Sequence, residues 1–167
     1  PLGLAAGQVV PCREWRELYA ALDCGAVAAI HPFYTAAVRE FEDAGKPIIG
    51  SAPVGVEGTN SWIDSIGDTF NIAKKIIGES KQKILPQIQK SLDDKKINNK
   101  ITVSGYEGSE LIVARTLIEA GAEVPYVGTA CPKTKWSTED KDWLESRGVF
   151  VKFRASLEDD ISAVKSV

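Results

Sequence analysis

Apolar residues recur along the chain with two spacings, and the change from one to the other lays out the elements. Trp15, Leu18, Tyr19 and Leu22 share a face within a helix over 14–22, and the apolar run 26–30 that follows reads as a buried strand. His31-Pro32 ends that strand, because proline cannot donate to a ladder. Val38 and Phe41 mark a second amphipathic helix, 35–44, with Gly45 as its stop and a short strand at 47–49 beyond. A loop, GSAPVGVEGT, leads to Thr59, which is placed to cap a long helical region from Asn60 to about Lys96. Trp62, Ile63, Ile66, Phe70, Ala73, Ile76 and Ile77 form its inner stripe, and Gly67, Gly78 and Pro86 are expected to kink or split it.

The clearest pattern lies in KITVSGYEGSELIVARTLIEAGAEVPYVG, residues 100–128. A strand at 101–104 runs into the tight turn Gly105-Tyr106-Glu107-Gly108, and Ser109 is placed to cap a helix carrying Leu111, Ile112, Ala114, Leu117 and Ile118. Gly121 stops the helix, and a strand resumes at 123–127. Strand, turn, helix and strand make a βαβ unit, which requires parallel pairing and places the turn at the carboxyl edge of the sheet. A helix over 138–146, a strand at 149–153 and a last helix opened by Ser156 complete the chain. The fold class is therefore α/β, with Rossmann-like parallel-sheet subdomains. Residues 1–58 read as the C-terminal part of one subdomain, 59–99 as a long helical connector, and 100–167 as the first half of a second subdomain.

Charge refines this outline. The net charge is −3, yet residues 68–100 carry eight lysines against four acidic residues, a basic island between acidic flanks. It reads either as a solvated helix face or as a partner surface; aromatic residues barely interleave with it, and no nucleic-acid motif accompanies it. Cys12, Cys24 and Cys131 form no CxxC pair and suggest neither a disulfide framework nor a zinc site, which suits a reducing cytoplasm. No stretch has the length and apolarity of a membrane span, so a soluble protein is expected, without membrane insertion. The absence of methionine and the chain's end inside a helical pattern fit a piece of a longer polypeptide.

Candidate chemistry is sparse. His31 is the single histidine and stands where a buried strand meets a loop, so it is either a structural residue or one that faces a ligand. No nucleophile–base set accompanies it. The Gly105–Ser109 turn has phosphate-loop character but matches neither GxGxxG nor the P-loop, and Glu107 would repel a phosphate. Cys131 is either a metal ligand or a small buried apolar residue.

Three long phrases add to this reading: IHPFYTAAVREFEDAGKPIIGSAPVGVEGT, SGYEGSELIVARTLIEAGAEVPYVGTACPKTKWS and WLESRGVFVKFRASLEDD. They resemble the Y-subunit family of chlorophyllide reductase, among the nitrogenase-like oxidoreductases of bacteriochlorophyll biosynthesis. The resemblance implies an internal fragment of a catalytic subunit that pairs with a Z subunit in a heterotetramer. An X subunit, an iron–sulfur ATPase, would pass it electrons from ferredoxin, and a ring B double bond of chlorophyllide a would be reduced. It also implies a [4Fe–4S] cluster in the Y–Z complex, with ligands outside this fragment and none expected within it. By position, His31-Pro32 resembles the nitrogenase His-Cys pair in which the cysteine binds the metal cofactor. Pro32 removes that ligand, which is consistent with an organic macrocycle in the same cavity. The Gly105–Ser109 turn resembles the glycine-rich turn lining that cavity. A chlorin asks for aromatic walls, so Phe33, Tyr34 and Tyr106, with Gly105 and Ser109 of the turn, are expected to bind substrate. His31 and Glu107 are the expected catalytic pair, His31 on the magnesium or a carbonyl and Glu107 positioning a proton. The alternatives are a stand-alone α/β nucleotide- or metabolite-binding module, and a subunit-interaction fragment without activity.

Overall fold

The computed structural model describes residues 2–31, 34–134 and 137–166. After a short helix α1 (Trp15–Ala21), strand β1 (Val27–Ala29), helix α2 (Thr35–Asp43) and strand β2 (Ile48–Gly50) form a βαβ unit. Its strands pair in parallel, Val27 opposite Ile48 and Ala29 opposite Gly50. Val38 and Phe41 are the buried residues of α2, as their spacing predicts. Glu14 and Glu17 form a reciprocal capping box at the start of α1.

The second sheet holds β3 (Val103–Gly105), β4 (Tyr126–Thr129) and β5 (Phe150–Phe153), parallel and in that order. Helices α5 (Glu110–Glu119) and α6 (Thr138–Glu145) connect the strands, and α7 (Leu157–Ser166) follows. Every residue of the central strand β4 is buried, the pattern of a parallel strand covered on both faces. The main core gathers Val103, Leu111, Ala114, Val127, Leu144 and Val151. Leu144 is fully buried there, so Leu144→Ala is expected to cost about 2–5 kcal/mol in urea unfolding. A loss below about 1 kcal/mol would show that α6 does not seal this core.

The strands of the second sheet start later than the composition suggests. Pairing before Pro125 is limited to an isolated parallel bridge between Lys100 and Glu123, with the Ile101 N–H on the Glu123 carbonyl. The full ladder begins only at Tyr126, one residue past Pro125, which has no N–H to give.

The helical connector differs more. It is two helices, α3 (Gly55–Thr69) and α4 (Lys74–Asp93), broken at residues 70–73 rather than at Gly67, Gly78 or Pro86. Pro86 lies within α4 and does not end it. Gly67 serves close packing instead of a kink: a Cβ there would come within 2.8 Å of Ile77 Cδ1 on α4. Thr59 is not the cap. It is buried inside α3, which starts at Gly55 because the Glu119 carboxylate on α5 accepts the Val56 N–H. A first turn is thus capped by a residue 63 positions away, which no local rule detects.

Candidate functional site at the facing carboxyl edges

Residues just past β1 and β2 meet residues just past β3 around one small space. A cavity of about 20 Å³ lies there, lined by Ala29, Ile30, Ser51 and Ala52 from the first sheet and by Gly108 and Leu111 from the second half. That space holds roughly one water. The expected residues follow strands of two separate sheets, His31 and Tyr34 after β1 and Tyr106 and Glu107 after β3. Ile30 and Gly108, chain neighbours of His31 and Glu107, line the same cavity wall.

His31 follows β1 and is half-buried, with its ring edge-on to Tyr34 at 5.4 Å. Tyr34 occupies the N-cap position of α2 and is exposed. Tyr106 is 60% exposed, and the Glu107 side chain is exposed as well. Phe33, named with them from the sequence, lies outside the described residues. Ser109 sits at the N-cap position of α5 but makes no side-chain cap bond.

The turn before α5 is held by Glu110, which is 4% exposed. Its Oε1 accepts the N–H groups of Glu107 (2.9 Å) and Gly108 (3.1 Å), and its Oε2 accepts the Thr129 hydroxyl (2.6 Å). One buried carboxylate therefore ties the turn after β3 to the end of β4. Gly105 makes room for it, since a Cβ there would come within 2.7 Å of Oε1.

A second buried network joins the two halves. Asp140 Oδ1 accepts from Arg115 Nη1 at 2.5 Å and from the Ser51 hydroxyl at 2.9 Å. Ser51 adopts a left-handed φ of 57° at the carboxyl end of β2, a conformation that costs a non-glycine residue and is held by its surroundings. Arg115 and Arg147 both lie over the Trp143 ring, and the Trp143 indole N–H donates to Glu57 at 2.7 Å. That bond, with the Arg147 guanidinium behind it, holds the Glu57 carboxyl below the usual carboxylate range. At the far side of the sheet, Asp160 accepts from Ser104 and Tyr126; burial first, and then this carboxylate, push the Tyr126 phenol up.

Neither Glu110 nor the Ser51–Asp140–Arg115 set was named from the sequence. Arg115 left one signal, a charge interrupting the apolar stretch ELIVARTLI. Glu110 and Asp140 left none beyond an acidic residue in a helix's first turn.

The three cysteines are free and lie in separate segments of the chain. Cys12 lies in the exposed N-terminal segment with its thiol on the Val9 carbonyl, and Cys24 follows α1. Cys131 is fully buried after β4, and burial pushes its thiol up. Among the described residues, no group of three or more His, Cys, Asp or Glu is arranged to hold a metal ion, and no helix is long and apolar enough to cross a membrane.

Known proteins share this sequence and this fold. Residues 1–166 match the family model for nitrogenase component 1 type oxidoreductases. The chain is 62% identical over 165 residues to the chlorophyllide reductase 52.5 kDa chain of Cereibacter sphaeroides, and 61% identical to that of Rhodobacter capsulatus. In each case 99% of this chain is covered and 33% of the relative, so the chain spans about a third of their length. It is 30% identical over 138 residues to the light-independent protochlorophyllide reductase subunit N of Prochlorococcus marinus strain NATL2A, covering 77% of this chain and 32% of that one. A solved structure entitled "Nitrogenase Cp1 at pH 6.5" superposes with a TM-score of 0.58 at 17% identity, over 96% of this chain and 38% of the other, a likeness of fold. With its paired parallel sheets and a family match from end to end, the chain belongs to the nitrogenase component 1 type oxidoreductases.

Proposed function

We propose that this chain is the cavity-forming portion of the Y subunit of chlorophyllide a reductase, and that the facing carboxyl edges carry its substrate site. The observation that carries the reading is 62% identity along 99% of the chain to a protein named as a chlorophyllide reductase chain. In this reading the Z subunit completes the complex and the X subunit ATPase delivers ferredoxin electrons. The [4Fe–4S] cluster that relays them is held by residues outside this chain. Residues 1–58, 59–99 and 100–167 then serve as the end of one subdomain, a connector and the start of the next.

A chlorin is flat and mostly apolar. It would lie against the exposed rings of Tyr34 and Tyr106, with Phe33 between His31 and Tyr34 in sequence. The described cavity holds about one water, so the macrocycle must rest on the open surface around it rather than inside it. His31 is assigned to the central magnesium or a ring carbonyl, and Glu107, open to solvent beside the turn, to supplying a proton to the reduced carbon. Gly105 and Ser109 shape the turn that presents Tyr106 and Glu107. A nucleotide at this turn is less well supported. The Glu107 and Gly108 N–H groups that would cradle a phosphate are already bonded to Glu110.

The test uses the full-length polypeptide assembled with its partner subunits under anaerobic conditions, with chlorophyllide a, ATP and reduced ferredoxin. His31→Ala and Glu107→Gln are each expected to lower turnover by about 10²-fold or more, in line with loss of a positioned acid–base group. Wild-type turnover and affinity in both variants would overturn the site assignment. A wild-type complex that leaves chlorophyllide a unreduced would overturn the function itself.

A further inference from the structure

The segment from Ser51 to Glu57 is tied to the second half of the chain by polar contacts. The Ser51 hydroxyl donates to Asp140 Oδ1 at 2.9 Å, and the Val56 N–H donates to the Glu119 carboxylate. Glu57 accepts from the Trp143 indole and from Arg147. The two sheets share no ladder, so side chains and helix packing alone set one against the other. Of these ties, the first lies in the wall of the small cavity at the candidate site. Ser51 and Asp140 both line it, beside Ile30, Ala52 and Gly108.

Ser51 holds this place at a conformational cost. Its φ of 57° is left-handed, a region that glycine enters freely and other residues rarely adopt. Glycine would fill the position without strain, so what serine adds is its hydroxyl. That hydroxyl is committed to a buried carboxylate, which Arg115 holds in turn. Strained residues of this kind cluster where a site needs its geometry fixed. We propose that Ser51 is a positioning residue: with Asp140 it fixes the separation of two walls, Ile30 and Ala52 on one side and Gly108 on the other. His31 follows Ile30 on the first wall, and the turn presenting Tyr106 and Glu107 ends at Gly108 on the second, so this separation sets how a flat ligand spans the two. The proposal rests on the reading that chlorophyllide a binds along these edges. Ser51 touches no reacting atom in that reading and acts through the walls, on the binding of the macrocycle rather than on the transfer of protons or electrons.

Ser51→Gly tests it in the full-length polypeptide assembled with its partner subunits. Glycine relieves the strain while the hydroxyl bond is lost, so the two effects on folding oppose each other and the urea midpoint should stay close to wild type. A uniform loss of binding raises KM and spares kcat. The chlorophyllide a KM should therefore rise about tenfold, the scale of one hydrogen bond, with kcat within about twofold of wild type. A lower kcat at unchanged KM would mean only that less enzyme is folded, and it would overturn the proposal, as would wild-type values of both. The substrate-free crystal structure of the variant complex separates this inference from the substrate reading. Ala52 and Gly108 should stand farther apart there than in wild type, even if chlorophyllide a proves not to be the substrate. An unmoved pair would overturn the positioning role whatever the substrate.

Discussion

Arg115→Ala is expected to lower folding stability by about 3–5 kcal/mol, among the largest single-site losses in this chain, because it strands a buried carboxylate. The Arg115 and Asp140 side chains are 6% and 7% exposed, and they meet at 2.5 Å. With the guanidinium gone, the Ser51 hydroxyl is the one remaining side-chain donor to Asp140 among the described residues, and Trp143 loses one of its two cations. Chemical denaturation of the full-length polypeptide reads the effect. Arg115→Leu combined with Asp140→Leu should recover much of the loss, since replacing a whole buried pair by apolar groups is often neutral. If the double variant is as unstable as the two single losses added together, the pair is not coupled and its role here is wrong.

The second large effect is at Glu110. Glu110→Ala removes the acceptor for three donors at once: the N–H groups of Glu107 and Gly108 and the Thr129 hydroxyl. Hydrogen bonds to a charged group contribute about 1.5–3 kcal/mol each. The Glu107 N–H can turn to water, because that residue is exposed, whereas Gly108 and Thr129 are buried. The expected net loss is about 3 kcal/mol, with the turn after β3 released from β4. Glu110→Gln should cost only about 1 kcal/mol, since the amide oxygen still serves both backbone donors and only the Thr129 hydroxyl loses its acceptor. Amide hydrogen exchange at Glu107 and Gly108 distinguishes the two variants: fast in Glu110→Ala, close to wild type in Glu110→Gln. Unchanged protection in Glu110→Ala would mean that the turn is held by something other than this carboxylate.

Both effects arise from buried charges, and these are what a linear reading misses. Apolar periodicity identified the faces of α2 and α5 and the order of strands, because burial of a stripe at a 3.6-residue period is a local property of the chain. The crossover helix demanded parallel pairing, and β3 pairs with β4, and β4 with β5, that way. Where the reading failed, a distant residue had intervened. Thr59 is a good N-cap by local rules, yet α3 starts at Gly55 because Glu119 on α5 accepts its first-turn N–H. Gly67 is a helix breaker by propensity, yet it packs against Ile77 inside a continuous helix.

The same division holds at the site. The chain by itself determined that His31, Tyr34, Tyr106 and Glu107 stand just past strands β1 and β3, since a strand's end and its turn are written in adjacent residues. Only the tertiary structure decided that residues past strands of two separate sheets meet around one space and that Glu110 ties the turn to β4. It alone also decided that Arg115, Asp140 and Ser51 meet across 89 residues of sequence. The physical reason is that a buried ion pair or carboxylate is stabilised by partners from several elements at once. Its energy therefore belongs to the packed arrangement and leaves almost no mark on the local pattern of the chain.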